Sequence, residues 1–202
     1  MDRYAPLRRR TIALVGLMGV GKSSVGRRLA NALDLPFRDA DAEVELAAGR
    51  SISDIFGDLG EDAFREGERR VIARLLDQEP HVLATGGGAF MNDQTRELIK
   101  SKAISVWLKT DLTVLARRVS RKDTRPLLIG KDPLEVLKAQ AEARYPAYGE
   151  ADVTVETGDD AHHVTVEQLI RALSEHLEAP TPRAASTWAW ATAPIRCSLA
   201  RA

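Results

Sequence analysis

With 202 residues, the chain is sized for one compact domain carrying at most a small lid, which excludes a second full domain. Charged side chains make up 29% and hydrophobic ones 44%, a balance that excludes disordered, collagenous and membrane-embedded classes, and no apolar run approaches the roughly 20 residues that cross a bilayer. The 29 basic and 29 acidic residues cancel, so the overall field draws the chain neither to nucleic acid nor to an anionic membrane, and neither is an expected partner.

Residues 1–10, MDRYAPLRRR, read as a basic lead-in with Arg8, Arg9 and Arg10 solvated, and no small-residue cleavage site marks them as a targeting signal. Thr11 to Gly16, TIALVG, is a continuous apolar run of the kind found in a buried parallel strand. Beyond a glycine-rich turn, Val25, Leu29, Ala32 and Leu33 recur at helical spacing. Pro36 breaks that helix, PFRDA predicts a second short strand, and Asp41 to Ala48 predicts a helix ending near Gly49. SISDIF and the stretch from Glu61 to Asp77 carry helical patterns, with Phe64, Val71, Ile72, Leu75 and Leu76 as core. HVLAT predicts a third strand that runs into Gly86, Gly87 and Gly88, and Asn92 then caps a helix reaching about Lys100.

Ala103 to Leu108, AISVWL, predicts another buried strand, followed by an N-cap at Thr110 or Asp111 and a helix to about Val119. The segment SRKDTRPLLIGKD lacks a clean period and is rich in charge, so a mobile lid is expected at about 120–131. A helix from about Pro133 to Tyr145, an alternating edge strand DVTVE and a last helix with Val166, Leu169, Ile170, Leu173 and Leu177 complete the domain at 11–178. Residues 179–202 contain no acidic residue, and a disordered tail is expected there, with Trp188 and Trp190 as its unusual feature. The lone cysteine, Cys197, rules out an intrachain disulfide and fits a reducing compartment, so the cytoplasm is the expected location.

Alternation of strand and helix along the chain predicts an α/β class: a three-layer α/β/α sandwich on a five-stranded parallel sheet. Within that frame GLMGVGKS, Gly16 to Ser23, matches the phosphate-binding pattern G-x-x-x-x-G-K-[ST] and sits between a strand and an amphipathic helix, as the P-loop requires. Phosphates need many donors at close range, which glycine backbone N–H groups and a helix N-terminus provide. Lys22 would reach the outer phosphates and the Ser23 hydroxyl would ligate Mg²⁺. The third strand ends without an acid, so Asp39 and Asp41 are the nearest carboxylates for the metal's water shell and for an acceptor hydroxyl; the lesser reading of Asp41, from spacing alone, is a helix cap.

Arg65, Arg125 and Arg144 each lie beside a loop or break, where site residues collect on such a sheet, and their forked donors suit carboxylates and phosphates. Taken singly, each also reads as a surface ion pair. The four histidines, His81, His162, His163 and His176, show no zinc-site spacing and read as surface or strand-end residues.

In order and spacing, GLMGVGKSSVGRRLA, the D-x-D of Asp39 and Asp41, GRSISDIF, FRE at Phe64, ATGGGA, RPLL at Arg125 and R-x-P-x-Y from Arg144 to Tyr148 resemble the shikimate kinase family. The resemblance spans about Thr11 to Leu177 and implies a P-loop kinase that moves the γ-phosphoryl of ATP to the 3-hydroxyl of shikimate, with one Mg²⁺ per chain, acting as a monomer. It further implies that Gly19, Val20, Gly21, Lys22, Ser23 and Ser24 wrap the ATP phosphates, that Ser23 holds Mg²⁺ directly and that Asp39 does so through water. Asp41 would orient or deprotonate the attacking hydroxyl, Arg65 and Arg144 would clamp the acid, and Gly86, Gly87 and Gly88 would lie at the ring. Arg125 would close over the transferring phosphoryl from the lid, and Arg118 resembles the family's adenine-stacking arginine. The chain departs from the family in lacking a basic residue between Arg144 and Arg171 to reach the base. The alternatives are a gluconate or related sugar-acid kinase, or a nucleotide-binding regulatory module without transfer activity.

Overall fold

The computed structural model describes residues 4–120, 132–158 and 162–179. Strand β1 (Thr11–Val15) is buried at every position, and a strand with no polar face belongs in the middle of a sheet covered on both sides. The chain continues through α1 (Lys22–Leu33), β2 (Phe37–Asp39), α2 (Ala40–Ala48), α3 (Ile52–Leu76) and β3 (Val82–Ala84). It then forms α4 (Asp93–Lys102), β4 (Ala103–Thr110), α5 (Leu112–Ser120), α6 (Pro133–Tyr148), β5 (Val153–Thr157) and α7 (His162–Glu178). The sheet order is β2-β3-β1-β4-β5 and every pairing is parallel. This is the expected five-stranded parallel α/β architecture.

Register decides what the sheet delivers to the site. Leu14 on β1 and Asp39 on β2 both pair with Ala84 on β3, so the three strands end level. Their C-terminal ends therefore present the Gly16 turn, Asp39 and the Gly86–Gly88 turn along one edge, where ligands bind open α/β sheets. Thr85 fastens the last of these turns to β1, its N–H and hydroxyl both donating to the Leu14 carbonyl at 3.2 and 3.0 Å.

Local chemistry sets the boundaries. Asn92 caps α4 by accepting the Thr95 N–H at 3.0 Å, and of the two candidate caps for α5 it is Asp111 that accepts, from the Thr113 and Val114 N–H groups at 2.8 and 3.3 Å. The two helical patterns on either side of Gly57 to Glu61 are two helical stretches of α3, separated by a break where Gly60 takes the non-helical φ 83° and ψ 174°. β5 alternates buried and exposed residues, as an edge strand should.

The lead-in and the end of α6 differ from the sequence reading. The lead-in is not fully solvated: Leu7 is 1% exposed in the core, and the Arg8 Nε donates at 2.6 Å to the Leu33 carbonyl, one of the orphan acceptors at the end of α1; only Arg9 and Arg10 stay exposed. Helix α6 runs on to Tyr148 through Pro146, because the bond that proline cannot donate is lost in the last turns, where buried Ala147 and Tyr148 hold the helix in place. His81 stands at the N-terminal end of β3, one of the two places expected for it, and is buried there, its Nδ1 2.9 Å from the Glu79 carbonyl, and burial lowers its pKa. Ser120 and Ala179 still belong to helical turns, the latter donating to the Glu175 carbonyl at 3.0 Å; the rest of the expected lid, with Arg125, and the tail from 180 lie outside the described residues.

Candidate active site

The turn after β1 reverses through left-handed backbone at Gly19 (φ 81°) and Gly21 (φ 96°) and enters α1 at Lys22, which turns the loop's N–H groups inward at a helix N-terminus. Lys22 folds over this loop, its Nζ donating to the Gly16 and Leu17 carbonyls at 2.8 and 3.1 Å. Phosphate oxygens are stronger, charged acceptors for the same ammonium group. One turn of backbone thus holds a concentrated set of donors, with Val20 buried beneath it and Ser24 exposed on α1.

Next to the loop stands an oxygen pair. The Ser23 hydroxyl donates to Asp39 Oδ2 at 2.7 Å, while Asp39 Oδ1 accepts the Asp41 N–H at 3.2 Å. Asp39 is therefore the cap of α2, and Asp41 is released from that duty. Hydroxyl and carboxylate are the hard oxygen donors that Mg²⁺ selects. No group of three or more His, Cys, Asp or Glu capable of holding a metal exists among the described residues, so the pair fits an ion that takes most of its ligands from phosphate and water.

Asp41 faces the open edge, yet the protein around it withdraws enough water to raise its pKa, first by burial and then by the neighbouring Asp39 charge, against the pull of Lys22 and Arg65. A carboxylate moved this way is a stronger base than an exposed aspartate. Across from it, Arg65 on α3 lies over the Phe64 ring at 5.1 Å and is held by two carboxylates. Its Nη1 donates to Glu68 Oε2 at 2.9 Å, and its Nε and Nη2 donate to Glu61 Oε1 at 3.2 and 3.0 Å.

The glycine turn after β3 is where these groups converge. A Cβ on Gly86 would lie 2.3 Å from Glu68 Oε1 and 2.9 Å from Asp41 Oδ1, and a Cβ on Gly88 would lie 2.6 Å from both terminal nitrogens of Arg65. A methyl on either glycine would have to displace those charged ends. The position of a Gly87 Cβ is 3.2 Å from Arg144 Nη1, 3.7 Å from the Gly16 carbonyl and 3.8 Å from the Met18 nitrogen, so the turn touches the phosphate loop on one side and Arg144 on the other. Arg144, half-buried on α6, donates from Nη1 to the Gly87 carbonyl at 3.1 Å.

The structure thus gathers Lys22, Ser23, Asp39, Asp41, Arg65, Arg144 and Gly86 to Gly88 at one edge of the sheet. Arg118 lies further along it on α5 and donates from Nη2 to the Gly158 carbonyl at the end of β5. Sequence reasoning missed Glu68. Its side chain is 3% exposed, its Oε1 has no hydrogen-bond partner among the described residues, and burial raises its pKa against the opposing charges of Arg65 and Arg144. The signal was present: Glu68 stands at i+4 from Phe64 and i−4 from Ile72, a carboxylate in the apolar stripe of α3.

A family model described as shikimate kinase matches residues 18–174. The chain is 72% identical over 174 residues to a shikimate kinase of Caulobacter vibrioides, covering 86% of this chain and 87% of that one. The chain belongs to the shikimate kinase family. It is also 56% identical over 182 residues to the shikimate kinase of Paramagnetospirillum magneticum, 88% of this chain and 93% of the other. Among solved structures, shikimate kinase from Acinetobacter baumannii in complex with shikimate superposes with a TM-score of 0.80 at 36% identity, over 85% of this chain and 97% of that one. A gluconokinase from Sinorhizobium meliloti matches with a TM-score of 0.57 at 24% identity over 84% of this chain and 96% of that one, a likeness of fold alone.

Proposed function

We infer that this chain is an ATP-dependent shikimate kinase, transferring the γ-phosphoryl group to the 3-hydroxyl of shikimate to give shikimate 3-phosphate and ADP. The observation that carries the reading is how closely the Gly86–Gly88 turn lies beside the phosphate loop, with Asp41, Arg65 and Arg144 all near that turn. Two guanidinium groups beside a bare backbone suit a small acid, and the acid then lies next to the loop that holds a nucleotide's outer phosphates.

In this reading the backbone N–H groups of Gly19 to Ser24 and the Lys22 ammonium bind the phosphates, and Arg65 and Arg144 hold the shikimate carboxylate. Asp41 orients the 3-hydroxyl and takes its proton as the oxygen bonds to phosphorus and the bond from phosphorus to the ADP oxygen breaks. Ser23 and Asp39 would hold Mg²⁺, which when bound supplies positive charge to the phosphate oxygens. Arg118 serves the adenine and Arg125 the transferring phosphoryl, the latter from outside the described residues.

A cytoplasmic location is supported by the single cysteine, and no helix among the described residues is long and apolar enough to cross a membrane. Coupled assay of ADP release with ATP, Mg²⁺ and either shikimate or gluconate tests the assignment: turnover is expected with shikimate, and a preference for gluconate, or none with either, overturns it.

A further inference from the structure

We propose that Tyr148 is a positioning residue for the acid acceptor, fixing the Gly87–Gly88 peptide and the Arg144 guanidinium in one arrangement before shikimate arrives; this rests on the reading of the site given above. Tyr148 closes the R-x-P-x-Y segment, and nothing in the mechanism so far uses it. It is fully buried, and its phenol donates to the Gly87 carbonyl, the same oxygen that accepts from Arg144 Nη1 at 3.1 Å.

A carbonyl oxygen has two lone pairs, and here both are taken by groups from α6. Arg144 and Tyr148 are one helical turn apart, so a single face of α6 supplies both donors. Because the peptide is trans, turning the Gly87 carbonyl towards α6 turns the Gly88 N–H the opposite way. Two donors on one oxygen also define a plane, which a single arginine on a rotatable stem does not.

The ring is itself held. Tyr148 lies 5.9 Å from Trp107 at 42°, and Tyr145 meets the same indole edge-on at 5.0 Å and 65°. Trp107 on β4 pairs in register with Val15, the last residue of β1 before the phosphate loop. A packed path therefore runs from the strand under the nucleotide, through Trp107 and Tyr148, to the turn under the acceptor. Burial raises the Tyr148 pKa against the opposing Arg144 charge, so the hydroxyl keeps its proton and remains a donor at neutral pH.

A tyrosine that only filled space would lose nothing specific on becoming phenylalanine. Tyr148→Phe in the full chain keeps the ring and removes the second donor from the Gly87 carbonyl. The expected result is a rise of about 5- to 30-fold in the shikimate KM and Kd, the loss that follows when a buried acceptor forfeits a neutral hydrogen bond. kcat and the ATP KM should stay within about twofold, since neither the phosphate loop nor Asp41 is touched. Combined with Arg144→Ala, the same substitution should cost less in shikimate KM than it does alone, because the guanidinium that Tyr148 holds in place is then already absent.

An unchanged shikimate KM, an equal loss for ATP, or full additivity with Arg144→Ala overturns the proposal. Should the variant not fold, amide relaxation on the unliganded parent protein decides: a Gly88 order parameter near about 0.85 supports a preset peptide, and one below about 0.6 overturns it. Turnover of shikimate by the parent protein is the separate control, since its absence sinks the functional reading itself and its presence beside an indifferent variant sinks only the role of Tyr148.

Discussion

The phosphate side and the acceptor side of the site are built in opposite ways. The first is one continuous stretch, Gly16 to Ser24, whose donors are mostly backbone and whose shape follows from glycines and a helix start. The second is assembled from side chains on α2, α3 and α6, meeting over a glycine turn that belongs to β3. A contiguous grip depends on local conformation, whereas an assembled one depends on long-range packing.

Asp41→Asn is the strongest test of that contrast. It keeps shape and removes the base, so kcat should fall by about 10² to 10⁴ while the ATP KM stays within a factor of about two. Unchanged turnover would remove Asp41 from the reaction. Next, Arg144→Ala should raise the shikimate KM by about 10- to 100-fold through loss of charge-assisted hydrogen bonds, with nucleotide binding measured by titration nearly unaffected. Equal losses for both substrates would erase the division between the two sides.

Gly88→Ala is a milder probe. Its backbone is ordinary at φ −101°, so the added methyl meets only the movable end of Arg65, at 2.6 Å. The expected result is a shikimate KM higher by about 3- to 10-fold with the melting temperature within about 2 °C, as displacement of one donor group predicts. A large loss of stability instead would show that the turn, not the arginine, carries the effect.

Glu68→Gln should have the smallest effect at neutral pH and the clearest dependence on it. The folded protein raises the Glu68 pKa above its ordinary 4.5, so the folded state holds that proton more tightly than the unfolded chain does. Its contribution to stability is complete below the unfolded value and is lost as pH rises through the folded one. Glutamine cannot ionise, so the difference in melting temperature between parent and variant should shift in the variant's favour across that rise. Parallel pH profiles would show that Glu68 titrates normally.

Legibility in the sequence follows the same division. The sheet was readable because β1, β3 and β4 are short buried apolar runs, β2 follows the break at Pro36 and β5 alternates, and the P-loop because its residues are adjacent. That Asp39 rather than Asp41 caps α2 was not readable, since the sequence offered only Asp41 as a cap and only the fold brings Ser23 to Asp39. Glu68 was hidden because a glutamate next to Arg65, Glu66, Arg69 and Arg70 looks like one more solvated charge. The end of α6 was set early because proline usually stops a helix, and only packing shows why Tyr148 stays in it. Leu7 likewise joined the core from a segment whose arginines advertise solvent.

The pairing of Arg65 with Glu61 shapes how an acid enters. Glu61 is 64% exposed and takes two of the arginine's donors, while the Glu68 contact is sealed from water. On the proposed reading, an arriving carboxylate would trade places with a tethered one, and the number of negative charges on Arg65 would stay the same through the exchange. Coulomb attraction largely cancels in such a swap. Selection then falls to the parts of the molecule Glu61 cannot imitate, a ring and its hydroxyls, so simple anions such as acetate should be poor rivals even at high concentration.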